Sequence, residues 1–223
     1  MLKDMHIHVR NSVLDYDKMK LYVERCIDEG LSEVVLLEHG NRMSPKRTAV
    51  LYNKEIIKKF KDNILRARQE FPNIKINYGI EIDFSYDYEF RKETLNLLNI
   101  GNFDYVIGAI HGMKFNDAGH YYDVIVDMLN IYSVDIIGHI ILLRDGWQQY
   151  QDKLERIVLL CSQTNTMIEF NTSDRLRWND EHIEYMLSLF KKYNVNYTTG
   201  SDAHSVEQIG YKIKQMHTRV KKR

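Results

Sequence analysis

The chain alternates short apolar runs of β-strand character with longer segments of helical periodicity, and it does so seven times. Strands are predicted at residues 2–9, 33–37, 74–82, 105–110, 135–140, 167–171 and 196–200. Helices are predicted at residues 17–29, 51–70, 88–98, 122–131, 150–164, 180–193 and 205–220. Seven β/α units in 223 residues favour an α/β fold in which a parallel sheet closes into a barrel with the helices outside. An open, doubly wound sheet is the alternative, but it would separate the first strand from the last.

No low-complexity segment and no linker rich in Pro, Gly or Ser divides the chain, which predicts a single domain over residues 1–223. Lys and Arg total 31, as do Asp and Glu, so no overall field favours a nucleic acid or an anionic membrane as partner. No apolar run approaches the roughly 20 residues that a membrane span needs. The N-terminus lacks the pattern of a signal peptide, so the expected compartment is the cytoplasm.

Four residues with reactive or ligating side chains lie within predicted helices, away from the strand ends. Cys26 and Cys161 have no cysteine at zinc-site spacing and are interpreted as reduced core residues. His182 and His217 are expected to be exposed on their helices.

The other chemically active residues cluster at strand ends, where six of the nine histidines fall. His6 and His8 form an H-x-H pair on the first strand, and Asp202 and His204 form a D-x-H pair after the last. Side chains two residues apart on a strand point to one face, so the H-x-H pair offers two imidazoles on one side. The strand ends between them carry His39, Glu81, His111 and His139. Because the carboxyl ends of barrel strands meet at one face, the pattern predicts a multinuclear metal centre.

Glu81 lies in the apolar run Gly79-Ile80-Glu81-Ile82. A buried carboxylate without a partner is costly, so Glu81 requires a cation or a protonated state. A salt bridge to a lysine is the structural alternative, but the sequence offers no obvious lysine. A carboxylate that bridges two metal ions meets the requirement.

Taken together, these segments resemble the PHP (polymerase and histidinol phosphatase) family of metal-dependent phosphoesterases, most closely its histidinol-phosphate phosphatase branch. The matching blocks, in family order and over nearly the whole chain, are residues 4–8 (DMHIH), 37–40 (LEHG), 79–81 (GIE), 110–112 (IHG), 137–139 (IGH) and 200–204 (GSDAH). The resemblance implies a distorted (βα)7 TIM-like barrel of the PHP type.

The resemblance also implies two metal ions that share Glu81 as a bridge. The first ion would also be bound by His6, His8 and Asp202. The second ion would also be bound by His111 and His139. Glu38 is expected to orient a ligand rather than to bind metal itself.

In the family, a third ion is bound by the histidine after the second strand, here His39, and by the last histidine of the set, here His204. A further histidine in the loop after the H-x-H pair completes this site. Residues 9–17 contain no histidine, and Asp15 or Asp17 is the available substitute. Two or three divalent ions are therefore expected. Imidazole and carboxylate ligands without thiolate fit zinc, manganese or iron.

The resemblance implies hydrolysis of a small phosphate monoester, with L-histidinol phosphate as the specific substrate. Asp202 or His204 would assist proton transfer to the leaving alkoxide. Arginines suit phosphate because their donors form a fork, and Arg144, five residues beyond His139, is the first candidate, with Arg42 next. The imidazolyl amino alcohol would require an acidic or aromatic pocket wall, and Asp83, Tyr86 and Trp178 are the candidates for it.

Three alternatives remain. The first is a PHP phosphoesterase with another substrate, such as a sugar phosphate, a nucleotide or a phosphotyrosyl protein. The second is a non-catalytic PHP-like module, and the third is a metal-dependent amidohydrolase barrel, which usually has a longer chain. The oligomeric state is open, with a homodimer among the options.

Overall fold

A computed structural model describes residues 1–41, 53–140, 146–173 and 178–222 of the chain. Arg42 and Arg144, the predicted phosphate contacts, lie outside these residues. Within the described ranges, no helix is long and apolar enough to cross a membrane.

Seven parallel strands run in sequence order around the described part of the chain, each paired with the next. They are β1 (Leu2–His8), β2 (Leu31–His39), β3 (Lys75–Asp83), β4 (Tyr105–Ala109), β5 (Ile136–Ile137), β6 (Met167–Asn171) and β7 (Tyr197–Gly200). All seven predicted strands are therefore confirmed, with β2 longer and β5 shorter than expected.

The strands alternate with seven helices, again among the described residues: α1 (Tyr16–Asp28), α2 (Lys54–Glu70), α3 (Tyr88–Gly101), α4 (Ala118–Ile131), α5 (Gln151–Thr164), α6 (Asp180–Tyr193) and α7 (Ile213–Lys221). Short 3-10 turns cover Arg10–Val13, Trp147–Tyr150 and Val206–Gln208. The element order is that of a (βα)7 barrel, which confirms the predicted fold class.

The sheet closes because β7 and β1 meet along one edge. The Ile7 and Ala203 backbones form a parallel bridge, and the His8 amide donates to the Ala203 carbonyl at 2.8 Å. The fully buried Asp4 carboxylate accepts hydrogen bonds from the amides of Ser201 at 2.8 Å and Gly210 at 3.1 Å. This closure excludes the open-sheet alternative and brings the H-x-H and D-x-H segments together.

The interior of the barrel is layered, with an apolar layer beneath a polar one. Val35, Leu37 and Ile107 belong to a compact apolar cluster, separate from the larger core between the sheet and the helices. One step further along the same strand faces, β2 and β3 pair His39 with Glu81. Because strand side chains alternate, the apolar layer forms the floor of the polar site.

Two boundaries differ from the predictions for identifiable local reasons. Helix α4 begins at Ala118 rather than residue 122, because the Asp117 carboxylate caps it by accepting from the His120 amide at 2.7 Å. The predicted helix 205–220 is interrupted at Gly210, whose φ of 72° is left-handed, so α7 begins only at Ile213.

The prediction that His182 is exposed is wrong. Its side chain is buried in α6, with its ring edge-to-face on Trp147 at a centroid distance of 5.4 Å. The 3-10 turn that carries Trp147 packs on this face of α6, which helical periodicity alone does not reveal. Cys26 and Cys161 are buried in α1 and α5 as predicted.

Candidate metal centre

The carboxylate of Glu81 lies at the centre of a ring of imidazoles at the carboxyl ends of the strands. Its Oε1 atom is 2.9 Å from His139 Nε2, 3.7 Å from His6 Nε2 and 3.9 Å from His111 Nε2. Its Oε2 atom is 2.8 Å from His39 Nδ1 and 3.3 Å from His8 Nε2. The two oxygens thus face different but adjoining sets of nitrogens, so that each oxygen is available to a separate ion.

Glu81 is 1% exposed, and every ion-pair partner described for it is a histidine. The lysine alternative considered from the sequence is therefore not seen among the described residues. Burial would raise the pKa of Glu81, but His39 and His6 outweigh it and hold the pKa well below its ordinary value. A carboxylate kept ionised in a buried site suits cation binding.

Asp202 completes the cluster from the β7 side. Its Oδ1 atom is 3.4 Å from His8 Nε2 and 3.6 Å from His6 Nε2. The backbone of Asp202 has a φ of 53°, an uncommon value for a residue other than glycine. Although burial would raise the Asp202 pKa, His8 and His6 lower it, so this carboxylate is also ionised. The D-x-H segment is thereby held against the H-x-H pair, as predicted from barrel closure.

The donor atoms fit divalent ions in three overlapping groups, within each of which they lie no more than 4.8 Å apart. The groups are His6, His8 and Glu81; His39, Glu81 and His111; and His8, His39 and His204. Neutral imidazole and carboxylate are ligands of zinc, manganese and iron. The residues present therefore fit a centre of more than one ion.

The third group has a composition that the sequence did not suggest. Asp15, the expected substitute for the missing loop histidine, is the N-cap of α1, where it accepts from the Lys18 amide at 3.2 Å. His8 takes the third place instead, with its ring centroid 4.2 Å from that of His204 and 4.3 Å from that of His39.

The outer edge of the cluster is less buried and carries His204. Burial and the neighbouring His8 lower the pKa of His204, so its imidazole is neutral at neutral pH. The His204 Nδ1 atom is 2.8 Å from the Asp202 carbonyl oxygen, which selects the Nδ1–H tautomer and leaves Nε2 as an acceptor.

Two buried acids contact the histidines from behind. Asp83 is 1% exposed, and its Oδ1 accepts a hydrogen bond from His111 Nδ1 at 2.6 Å. It therefore orients His111 rather than lining a substrate wall. Glu38 lies 3.7 Å from His8 Nδ1 and accepts from the Arg10 amide. Of the other two expected wall residues, Tyr86 donates to Asp127 and Trp178 to the Asn171 carbonyl.

One buried acid at the centre was missed from the sequence. Glu169 on β6 is fully buried, and its Oε1 atom lies 3.0 Å from His6 Nδ1. The sequence does contain an indication of this residue: Glu169 is an acid within the apolar strand Met167–Asn171, just as Glu81 is an acid within β3.

A family model for the PHP domain matches residues 4–173. The chain belongs to the PHP domain family. Curated relatives extend the similarity beyond that segment. A probable phosphatase of Aliivibrio fischeri is 24% identical over 215 residues, covering 92% of this chain and 79% of its own. A probable phosphatase of Caldicellulosiruptor saccharolyticus is 26% identical over 208 residues, which cover 90% of this chain and 79% of the relative.

Solved structures share this PHP fold. The histidinol phosphate phosphatase of Lactococcus lactis, solved with zinc, L-histidinol and phosphate, aligns over 99% of this chain and 93% of its own, with a TM-score of 0.79 and 21% identity. A putative histidinol phosphatase of Listeria monocytogenes aligns over 96% of this chain and 99% of its own, with a TM-score of 0.63 and 16% identity. At these identities the likeness establishes the barrel.

Proposed function

We propose that this PHP protein is a metal-dependent phosphatase that hydrolyses a small phosphate monoester. The observation that carries the proposal is the ionised, buried Glu81 carboxylate, whose two oxygens face separate sets of imidazoles at the end of the barrel where such folds place their chemistry. The relatives named as probable phosphatases support the reaction class.

In this proposal Glu81 would serve two ions, with the further ligands supplied by other strand ends. The first ion would be held by His6, His8 and Asp202, and the second by His111 and His139. His39 and His204 would hold a third ion, or would contact the substrate if two ions are bound. Zinc, manganese and iron all suit these ligands.

The chemistry of phosphoryl transfer is mainly positioning and charge stabilisation. When bound, divalent ions supply electrostatic stabilisation of the phosphate and lower the pKa of a coordinated water. His204 is neutral and 23% of its side chain is exposed, which suits a group that would meet a leaving alkoxide. His204 or Asp202 would move a proton to that alkoxide. Arg144 and Arg42 would bind phosphate oxygens from the strand-end loops.

L-histidinol phosphate is the proposed substrate. Support comes from the match of this barrel, over nearly its whole length, to a phosphatase whose crystal structure contains L-histidinol and phosphate. The same fold at a TM-score of 0.51 is found in metal-dependent tyrosine phosphatases of Bacillus subtilis and Streptococcus pneumoniae, so a phosphotyrosyl peptide is the competing substrate.

The test is phosphate release by zinc- or manganese-loaded protein from L-histidinol phosphate, a sugar phosphate and a phosphotyrosyl peptide, assayed in parallel. His111→Ala should lower turnover at least about 100-fold, because losing a ligand exceeds the roughly 10–100-fold cost of outer-shell changes. His217→Ala is the matched control, since His217 lies on α7 outside the cluster. Equal turnover by His111→Ala and the control would refute the site, whereas preference for another phosphoester would replace the substrate alone.

A further inference from the structure

We infer that Glu169 is a positioning residue of this centre, fixing the ring of His6 and the backbone of His139 at the same time. The inference rests on the metal centre proposed above and adds a residue that lies behind its ligands. Glu169 is fully buried on β6, between the strand that carries His6 and the segment that carries His139.

Both oxygens of Glu169 are used, each on a different part of the site. Oε1 lies 3.0 Å from His6 Nδ1. Oε2 accepts from the backbone amide of His139 at 2.6 Å and from Asn171 Nδ2 at 3.1 Å. One carboxylate thus connects two proposed ligands that arrive from different strands.

The contact to His6 selects its tautomer. Oε1 of Glu169 is an acceptor, so the 3.0 Å contact is made by an Nδ1–H group of His6. The other ring nitrogen, Nε2, faces the cluster, 3.7 Å from Glu81 and 3.6 Å from Asp202, and is the nitrogen left for a metal ion. A carboxylate behind a ligating imidazole is a common outer-shell arrangement in metal sites.

The contact to His139 stabilises an unusual backbone. His139 has a φ of 30°, in the left-handed region that residues with a side chain rarely adopt. This turn ends β5 after two residues and directs the ring so that Nε2 lies 2.9 Å from Glu81. The short hydrogen bond from the His139 amide to Glu169 holds the backbone in that conformation.

Gly200 on β7 provides the space that Glu169 occupies. A Cβ atom at Gly200 would lie 1.9 Å from Glu169 Oε1 and 2.6 Å from His6 Cβ, closer than real contacts allow. Any larger residue at position 200 would therefore displace the carboxylate or the imidazole. Gly200→Ala is a second, independent way to disturb the same contact.

The first variant is Glu169→Gln, which keeps the shape of the side chain. A glutamine side chain has one acceptor oxygen. The backbone N–H of His139 donates to that oxygen, so the NH2 group of the glutamine faces His6. This favours the Nε2–H tautomer of His6 and blocks the nitrogen that would bind metal. Glu33→Gln is the matched control, since Glu33 is a buried acid at the opposite end of the barrel, paired with Lys3 and Lys75 at 2.6 and 2.8 Å.

Two readouts test the inference. The affinity for zinc, measured by competition with a chelator, should fall about 10–100-fold in Glu169→Gln and in Gly200→Ala and stay unchanged in Glu33→Gln. Nitrogen NMR of the zinc-loaded wild-type protein should show His6 protonated at Nδ1 and bound to zinc through Nε2. Wild-type zinc affinity in Glu169→Gln, or an Nε2–H tautomer in the wild type, would overturn the role of Glu169. A wild-type protein that binds no zinc would instead overturn the proposed metal centre itself.

Discussion

Glu81→Gln separates a bridging carboxylate from a structural one. Glutamine has nearly the same shape as glutamate, so the apolar floor beneath it, with Leu37 and Ile107, keeps its packing. The substitution removes the negative charge that lies between the imidazoles. The nearest imidazoles are His139, 2.9 Å from Oε1, and His39, 2.8 Å from Oε2. A bridging role predicts that both ions lose an anionic ligand at once.

The magnitude follows from the ligand count. Outer-shell changes cost roughly 10–100-fold in metal affinity, and a lost ligand should cost at least about 100-fold for each ion. At 1.4 kcal/mol per tenfold change, this is about 3 kcal/mol of binding free energy per ion. At a metal concentration 100 times the wild-type Kd, binding stabilises the fold by about 2.7 kcal/mol per site, and nearly all of this increment should disappear in the variant.

The assay compares the increase in melting temperature on adding zinc for the wild type, Glu81→Gln and the control Glu33→Gln. Comparing increments cancels any change that the substitution makes to the metal-free protein. The wild type and the control should show the same increase, and Glu81→Gln should show little. An undiminished increase in Glu81→Gln, with two ions still bound per chain, would refute the bridging role.

Two further predictions concern stability. Burial would raise the pKa of Glu33, but its two lysines lower it to about 2, so its contribution to stability is present above the ordinary pKa and is lost as pH falls towards 2. Because those lysines are largely exposed and screened, Glu33→Gln should cost about 1 kcal/mol at pH 7 by urea unfolding, and a difference that persists at pH 2 would contradict the assignment. Asp117→Ala removes the cap that starts α4 at the His120 amide and should cost about 1 kcal/mol, whereas an unchanged urea midpoint would show that the cap contributes nothing.

The fold was predictable from the sequence because each strand of a parallel barrel is buried on both sides and reads as a continuous apolar run. The exceptions are instructive. Strand β5 pairs over only Ile136 and Ile137, because the chain turns into a left-handed conformation at His139 to meet Glu169. That turn depends on a partner 30 residues away, which no local pattern contains.

The site was predictable where ligands come in pairs or interrupt apolar strands, as with the H-x-H pair and Glu81. The acids behind the ligands were harder to find. Asp83 was assigned to a substrate wall, and Glu169 was passed over, although both lie on strand faces that point into the barrel beside His111 and His6. Their roles depend on which histidine each strand brings near, and this is decided by barrel closure rather than by sequence spacing.

The central claim is that Glu81 bridges two ions, and anomalous diffraction from crystals of the zinc-loaded protein tests it most directly. Data collected at the zinc absorption edge should show two peaks, one within about 2.2 Å of each Glu81 oxygen. Peaks elsewhere on the chain, or a single peak that contacts only one oxygen at saturating zinc, would contradict the account.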